Sequence, residues 1–357
     1  MIETVHTVEP AARAPYDAII DVRSPAEFAE DRLPGAINLP VLTNEERAEV
    51  GAIYVQDSRF RARRLGAAYV ARNVARQLET ALADRDARFR PLIYCWRGGM
   101  RSNAMATILS QVGWRVGVLA GGYRTWRRAV VGALLEDDAP FNLVLIDGET
   151  GSGKTEIIRR LSALGAQAID LEGLAAHKGS VFGAETHAAQ PPQKLFESSL
   201  FDALSRLDPA RPVFVEAESS RIGRINLPKR FWSSMRRAPR LLIRAGAQAR
   251  ARHILSAYRD FISADAAIDD AIGRLRPFHA KETIEAWLAL SAAGAHEALA
   301  RELMRDHYDP LYDRARKREA RAPLAEIDAG ALDAAAIDRA ARDVLTRVSA
   351  RPTQSPP

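Results

Sequence analysis

The sequence is poor in cysteine, in lysine and in long apolar runs, and each shortage excludes something. A single cysteine, Cys95, in 357 residues rules out a disulfide within the chain and a cysteine-rich zinc site. No uninterrupted apolar run of about eighteen residues occurs, which excludes a transmembrane helix of ordinary length. Residues 1–15 lack the basic-then-apolar order of a secretory signal, so a cytoplasmic location and no membrane partner are expected. Only six of the 51 basic residues are lysine and the other 45 are arginine, with a net charge of +6. The planar guanidinium fork suits phosphate, which points to a polyanionic partner; an arginine-biased genome gives the same count, and composition leaves both open.

Hydrophobic residues make up 47% and charged residues 27% of the chain, enough for sizeable cores, and this length favours two domains over one. Strands alternate with helices in both halves, which predicts α/β architecture with mostly parallel sheets. In the first half, strands are expected over 16–21, 36–39, 92–94 and 116–119, with helices starting at Pro25 and spanning 61–82, 102–112 and 123–135. The acidic, proline-containing break Glu136-Asp-Asp-Ala-Pro140 closes a first domain, 1–137. A second, 138–250, carries strands at 142–146, 166–171, 213–215 and 241–243 and a helix at 154–164. Residues 251–350 read as helical throughout, and the proline-rich 351–357 as a disordered tail. No internal repeat is evident.

The one cysteine stands between a strand and a helix in Cys95-Trp-Arg97-Gly98-Gly99-Met-Arg101-Ser102. A thiol at a strand end, followed by a glycine turn, two arginines and a helix N-terminus, is surrounded by groups that favour the thiolate. The same amides suit an oxyanion, so the sulfur could take a chalcogen from a phosphorus-linked donor. Cys-x5-Arg also occurs in cysteine-dependent phosphatases, although those usually carry His where Tyr94 stands. These residues resemble the rhodanese family, as do Asp21-Val-Arg-Ser-Pro-Ala-Glu-Phe28 and Leu33-Pro-Gly-Ala-Ile-Asn-Leu-Pro40. The resemblance spans residues 16–135 and implies a rhodanese fold with Cys95 as chalcogen acceptor.

Gly148-Glu-Thr150-Gly151-Ser152-Gly153-Lys154-Thr155 matches G-x4-G-K-[ST] between an expected strand and helix, the context that the phosphate-loop motif requires. Its glycines let successive amides face a phosphate or diphosphate. Lys154 adds a point charge, and the Thr155 hydroxyl is placed to meet a Mg2+ where one accompanies the phosphates. Nothing in the motif makes the ligand ATP. Downstream, Glu216 and Glu218 stand where aspartate is more usual, and Asp170 and His177 lie in a Gly-rich segment after the second strand. These four are the candidates for acid–base work or for a metal.

A basic, aromatic stretch follows: Arg221, Arg224, Lys229, Arg230, Phe231, Trp232, Arg236 and Arg237. Guanidinium groups interleaved with aromatic rings offer phosphate contacts and stacking surfaces for unpaired bases, so these residues are candidates for RNA binding.

With CWRGGMRS, GETGSGKT, LEGLAAHKGSVFG and EAESSRIGRINLP in this order, the chain resembles the bacterial tRNA 2-selenouridine synthase family. That resemblance implies a rhodanese-like domain followed by a P-loop NTPase-like α/β domain with a helical C-terminal part. It further implies that the P-loop holds geranyl diphosphate while a wobble 2-thiouridine is alkylated on sulfur. Selenophosphate, held by Arg97, Gly98, Gly99, Arg101 and Ser102, then delivers selenium at Cys95. On this reading no cofactor is tightly bound, both donors are co-substrates, and Phe182, Phe196 and Trp232 are candidate prenyl walls. A rhodanese-type sulfurtransferase fused to an ATP-dependent small-molecule kinase, a phosphatase, and a non-catalytic anion sensor are the competing classes.

Overall fold

A computed structural model describes residues 1–180, 182–183, 189–262, 267–318 and 321–349; the tail 351–357 lies outside the described residues. The chain forms two compact units, one of Met1–Asp138 with Pro192–Arg206, the other of Ala139–Pro191 with the residues from Leu207 onward.

The first unit is built on a five-stranded parallel sheet: β1 (Ile2–Val5), β2 (Ala18–Asp21), β3 (Ala36–Asn38), β4 (Pro91–Tyr94) and β5 (Val116–Leu119), in the order β1-β5-β4-β2-β3. β4 and β5 are buried at every residue, as their continuous apolar sequences require of strands covered on both faces. The helices Arg59–Glu79 and Met100–Val112 supply Val74, Met105 and Leu109 to a core with Ile20, Ile93 and Val116. Ser24 with Glu27, and Thr43 with Glu46, form reciprocal capping boxes that start the helices Pro25–Glu30 and Asn44–Gln56. β1 departs from the expected strands. It is short and mostly exposed, and only its pairing with β5 (Ile2 beside Val116) makes it a strand.

The helix Gln193–Ser205 also folds in this unit, although its sequence lies inside the 138–250 span. The Trp126 indole N–H donates to Ser198 Oγ at 2.9 Å, Arg13 pairs with Asp202 at 2.5 Å, and the Phe201 ring meets Trp126 edge-on at 5.1 Å.

The second unit holds β6 (Leu143–Gly148), β7 (Gln167–Ile169), β8 (Val213–Glu216), the antiparallel pair β9 (Arg221–Ile222) and β10 (Ile225–Asn226), β11 (Arg240–Arg244) and β12 (Ala325–Asp328). Its five-stranded sheet is parallel, in the order β12-β11-β6-β8-β7. β12 corrects the reading of 251–350 as helical throughout. It is an edge strand with Ile327 as its one buried residue, so no alternating apolar signal marks it. The helix Ala334–Ser349 then packs Ile337, Ala341 and Val344 against Ile157 and Leu161 of the helix Lys154–Ala163. A separate apolar cluster joins Ile272, Leu275, Ile284, Trp287, Leu299 and Leu303. Among the described residues no helix is long and apolar enough to cross a membrane.

Gly122 is the tightest backbone approach in the first unit. It has φ +57°, and a Cβ there would stand 2.2 Å from the Cys95 carbonyl oxygen and 2.6 Å from the Gly98 nitrogen. Gly122→Ala should therefore destabilise the protein by about 2 kcal/mol or more. Gly132→Ala, at a position with helical φ −55° and no atom within 4 Å of the added carbon, should be neutral or stabilising by about 0.4–1 kcal/mol. Denaturant midpoints of the two variants check this; equal losses would show that packing at Gly122 does not matter.

Candidate functional site

β4 runs directly into Cys95, and the next helix starts at Met100 with Gly99 as its N-cap. The thiol therefore sits between a strand end and a helix N-terminus, 4% exposed. Its Sγ accepts from the Gly99 N–H and the Ser102 hydroxyl, each at 3.3 Å. Burial pushes the Cys95 pKa up, but the Ser102 hydroxyl and the backbone N–H groups of Ser102, Gly99 and Arg97 outweigh it, and the pKa lies below the ordinary thiol value. Ser102 is fully buried and Arg97 is exposed. Arg101 is tied to Glu27 of the helix Pro25–Glu30 at 2.9 Å, so its guanidinium is already anchored. Gly98 packs against the Leu119 carbonyl and the Gly121 amide.

Below the loop lies a buried polar network. Arg23 is held by Asp21, with contacts of 2.6 and 3.0 Å, and donates to the Asp31 carbonyl at 2.6 Å. The Tyr123 hydroxyl donates to Asp31 at 2.7 Å, and the Tyr94 hydroxyl accepts from the Leu33 N–H at 3.2 Å. Asp21-Val-Arg23 thus acts through the loop floor: Tyr123 N–H donates to the Cys95 carbonyl at 2.8 Å.

In the second unit, β6 leads into the phosphate loop and the helix Lys154–Ala163 follows it. Gly151 has φ +78°, and an added Cβ would meet Ile254 at 2.8 Å and the Arg250 carbonyl at 3.0 Å. Glu149 receives three guanidinium groups: Arg244 at 3.1 Å, Arg250 at 2.9 Å and Arg316 at 2.9 Å. Arg250 also donates to the Thr150 carbonyl at 2.9 Å and pairs with Asp309 at 2.5 Å. Lys154 Nζ donates to the Gly148 carbonyl at 2.9 Å and lies 5.4 Å from the Tyr312 ring. Burial works against its ammonium; Tyr312, Glu218, Glu172 and Asp147 outweigh that and hold its pKa above the ordinary value.

The loop opens on a cavity of about 660 Å3 lined by Thr150, Gly151, Ser152, Gly153, Lys154 and Thr155, with Glu172, Glu218, Trp232, Arg236, Tyr312 and Arg316 among its walls. Of the four acid–base or metal candidates only Glu218 lines it. Glu216 is fully buried and accepts from the Leu171 N–H at 2.9 Å; burial and Asp170 raise its pKa well above the usual carboxylate range. Asp170 caps the short helix Leu171–Ala175 and pairs with Arg159 at 2.8 Å. His177 Nδ1 accepts from the Gly179 N–H at 3.1 Å. The carboxylate that does meet the loop is Glu172, which accepts from the Thr155 hydroxyl at 2.8 Å; burial and the neighbouring Glu218 raise its pKa.

An apolar pocket adjoins this cavity and shares Thr150, Ser180, Ile254, Tyr258 and Tyr308 with it; Phe182, Leu255, Leu299 and Leu303 are among its other walls. Of the candidate prenyl walls, Phe182 lines the apolar pocket and Trp232 lines the phosphate-loop cavity, whereas Phe196 is buried in the first unit.

The basic stretch divides. Arg221, Arg224, Lys229, Arg236 and Arg237 are exposed. Arg221 and Arg224 lie on and beside the β9–β10 ribbon, and Lys229, Arg236 and Arg237 lie on the helix Lys229–Arg237. Arg230 turns to the protein, donating to the Ala139 carbonyl at 2.6 Å with its guanidinium 4.2 Å from the Phe141 ring.

Sequence reasoning missed Glu172, Tyr312 and Arg316. Tyr308, Tyr312 and Arg316 recur every four residues along one helical face. That spacing was the available signal, but it sits in an arginine-rich segment that also reads as a solvated face.

Residues 7–129 match the Rhodanese-like domain, and residues 141–278 match the tRNA 2-selenouridine synthase AAA domain. Among curated proteins, the chain is similar to the tRNA 2-selenouridine synthase of Cupriavidus pinatubonensis, 32% identical over 82% of this chain and 87% of that one. It is also similar to that of Alcanivorax borkumensis, 33% identical over 85% of this chain and 90% of that one. The counterpart from Shewanella denitrificans is 37% identical over 68% of this chain and 65% of its own. With both domains matched and these relatives aligned over most of their length, the chain belongs to the tRNA 2-selenouridine synthase family.

Proposed function

We propose that this protein converts a wobble 2-thiouridine of tRNA to 2-selenouridine through an S-geranyl intermediate, using geranyl diphosphate and selenophosphate. The observation that carries the reading is the apolar pocket sharing Thr150 with the phosphate-loop cavity. A diphosphate with a hydrocarbon tail fits such a pair of sites; a nucleotide gives the apolar part no occupant.

In the first step the thiocarbonyl sulfur attacks C1 of geranyl diphosphate, the C–O bond breaks and N3 of the base loses its proton. The diphosphate departs into preorganised donors, the loop amides and the Lys154 ammonium, which stabilise the developing charge. Where Mg2+ accompanies the diphosphate, Thr155 and Glu172 would hold it and neutralise part of that charge; among the described residues no group of three or more His, Cys, Asp or Glu side chains is placed to hold a metal. In the second step the selenium of selenophosphate, delivered at Cys95, attacks C2. The C2–S bond breaks and the geranylthio group leaves as the thiol, taking a proton; water then cleaves the Se–P bond, releasing phosphate and leaving selenium on C2. Arg221, Arg224, Lys229, Arg236 and Arg237 are the groups proposed to meet the tRNA backbone. The protein works in the cytoplasm on this reading, where tRNA and both donors meet.

Nucleoside mass spectrometry on a 2-thiouridine tRNA, with each donor omitted in turn, tests the sequence of steps. Geranyl diphosphate alone should give the geranylated base, and both donors should give selenouridine. Cys95→Ala should block selenation and spare geranylation, while Lys154→Ala should slow geranylation by about 100-fold or more. Equal loss of both activities in folded Cys95→Ala would sink the division of labour, and ATP turnover without any change in the tRNA would favour the kinase reading. Leu255→Trp should raise the KM for geranyl diphosphate by about 10- to 100-fold and leave inhibition by inorganic diphosphate unchanged; if both weaken together, the tail lies elsewhere.

Because the folded thiol ionises below the ordinary range, the pH at which alkylation of Cys95 accelerates should also lie below it. Ser102→Ala removes a group that favours the thiolate, so it should move that midpoint upward. Iodoacetamide rates across pH 6–10 give the comparison, roughly bracketing the ordinary thiol pKa; an unmoved midpoint would remove Ser102 from thiol activation.

A further inference from the structure

Four of the five tryptophans have an evident place. Trp114, Trp126 and Trp287 are buried, and Trp232 lines the phosphate-loop cavity. Trp96, the residue after the thiol, is 39% exposed. An indole left more than a third exposed beside a reactive centre forgoes part of the burial by which an aromatic ring stabilises a fold.

Trp96 is nevertheless rigidly supported. Its carbonyl accepts from the Arg124 N–H at 3.1 Å, and its ring rests on Tyr123 with centroids 5.1 Å apart and planes inclined by 31°. Tyr123 in turn is buried, anchored to Asp31 and covered by the Arg23 guanidinium at 4.1 Å. The Asp21–Arg23 network beneath the loop therefore fixes the indole as well as the thiol. Beside it stand Arg97 and Arg124, both exposed and without a side-chain ion pair or hydrogen bond among the described residues.

We infer that Trp96 is a stacking platform for the reacting nucleobase at the cysteine loop, with Arg124 meeting a flanking phosphate and Arg97 left to the selenophosphate. This rests on the proposed delivery of selenium at Cys95. The burial of Cys95 supplies the physical need: a thiol only 4% exposed does not reach C2 of a base stacked within the anticodon loop. The base has to be splayed out, and the lost stacking must be replaced. A half-exposed indole on a fixed support replaces it for any base face, and the adjoining Arg124 supplies backbone attraction.

The test measures conversion of S-geranyl-2-thiouridine tRNA to selenouridine at saturating selenophosphate, together with the iodoacetamide alkylation rate of Cys95 in the full-length protein. Trp96→Ala should lower kcat/KM for the tRNA by about 10- to 100-fold, chiefly through KM, with the alkylation rate unchanged. Trp96→Phe, which keeps a ring, should recover most of the loss, and Trp96→Leu, which keeps bulk without a π-face, should not. Recovery by leucine, a slowed alkylation of Cys95 in Trp96→Ala, or an unchanged kcat/KM would each overturn the platform. Failure of the wild-type protein to form selenouridine at all would instead overturn the functional reading on which it rests.

Discussion

Both candidate sites depend on how a parallel sheet ends. β4 and β6 are each the middle strand of five and buried at every residue, β6 being apolar as far as Ile146. A strand of that kind has its backbone groups paired until the last residue. The loop that leaves it, and the helix that follows, then present amides with no strand to pair with. Such amides suit a loop to an anion. In one unit the strand delivers a thiol into such a loop, and in the other it delivers the glycines and lysine of a phosphate loop.

The two loops are stiffened by opposite means. The cysteine loop is held from below by close backbone packing against the Leu119–Gly122 turn and by the buried Asp21–Arg23 pair, leaving Arg97 free above it. The phosphate loop is held from the side, by arginines converging on Glu149 from distant parts of the chain. Glu149 therefore carries a structural load although its motif position accepts any residue. Charge crowding near Lys154 follows, since Glu172 and Glu218 face a cavity in which Arg240 and Arg316 already pair with Asp147 and Glu149.

Local features were legible in the sequence. Cys95 to Ser102 and Gly148 to Thr155 carry their structural context in adjacent residues, because a strand, a turn and a helix start are all short-range. The buried strands 92–94 and 116–119 announce themselves as unbroken apolar runs. What stayed hidden depends on distant partners. β1 and β12 are edge strands with few inward residues, and each exists because of the neighbour it pairs with. Glu172 lay in plain view two residues from Asp170, but its importance comes from the Thr155 hydroxyl it accepts from. Arg250, Tyr312 and Arg316 are ordinary helix residues until the fold brings them to the loop. The Trp96 indole has no role legible in its motif, since exposure cannot be read from a few adjacent residues.

The helix Gln193–Ser205 imposes an order on biosynthesis. Trp126 and Arg13 leave the ribosome early, while Ser198, Asp202 and Phe201, which cover them, are translated only after β6 and β7 of the other unit. The first unit thus waits, with an indole side uncovered, while part of a second sheet is already emerging. Independent folding of domains in order of synthesis is the usual protection against misassembly. This chain gives up that protection for its first unit, and the nascent protein exposes a place where a chaperone would find it.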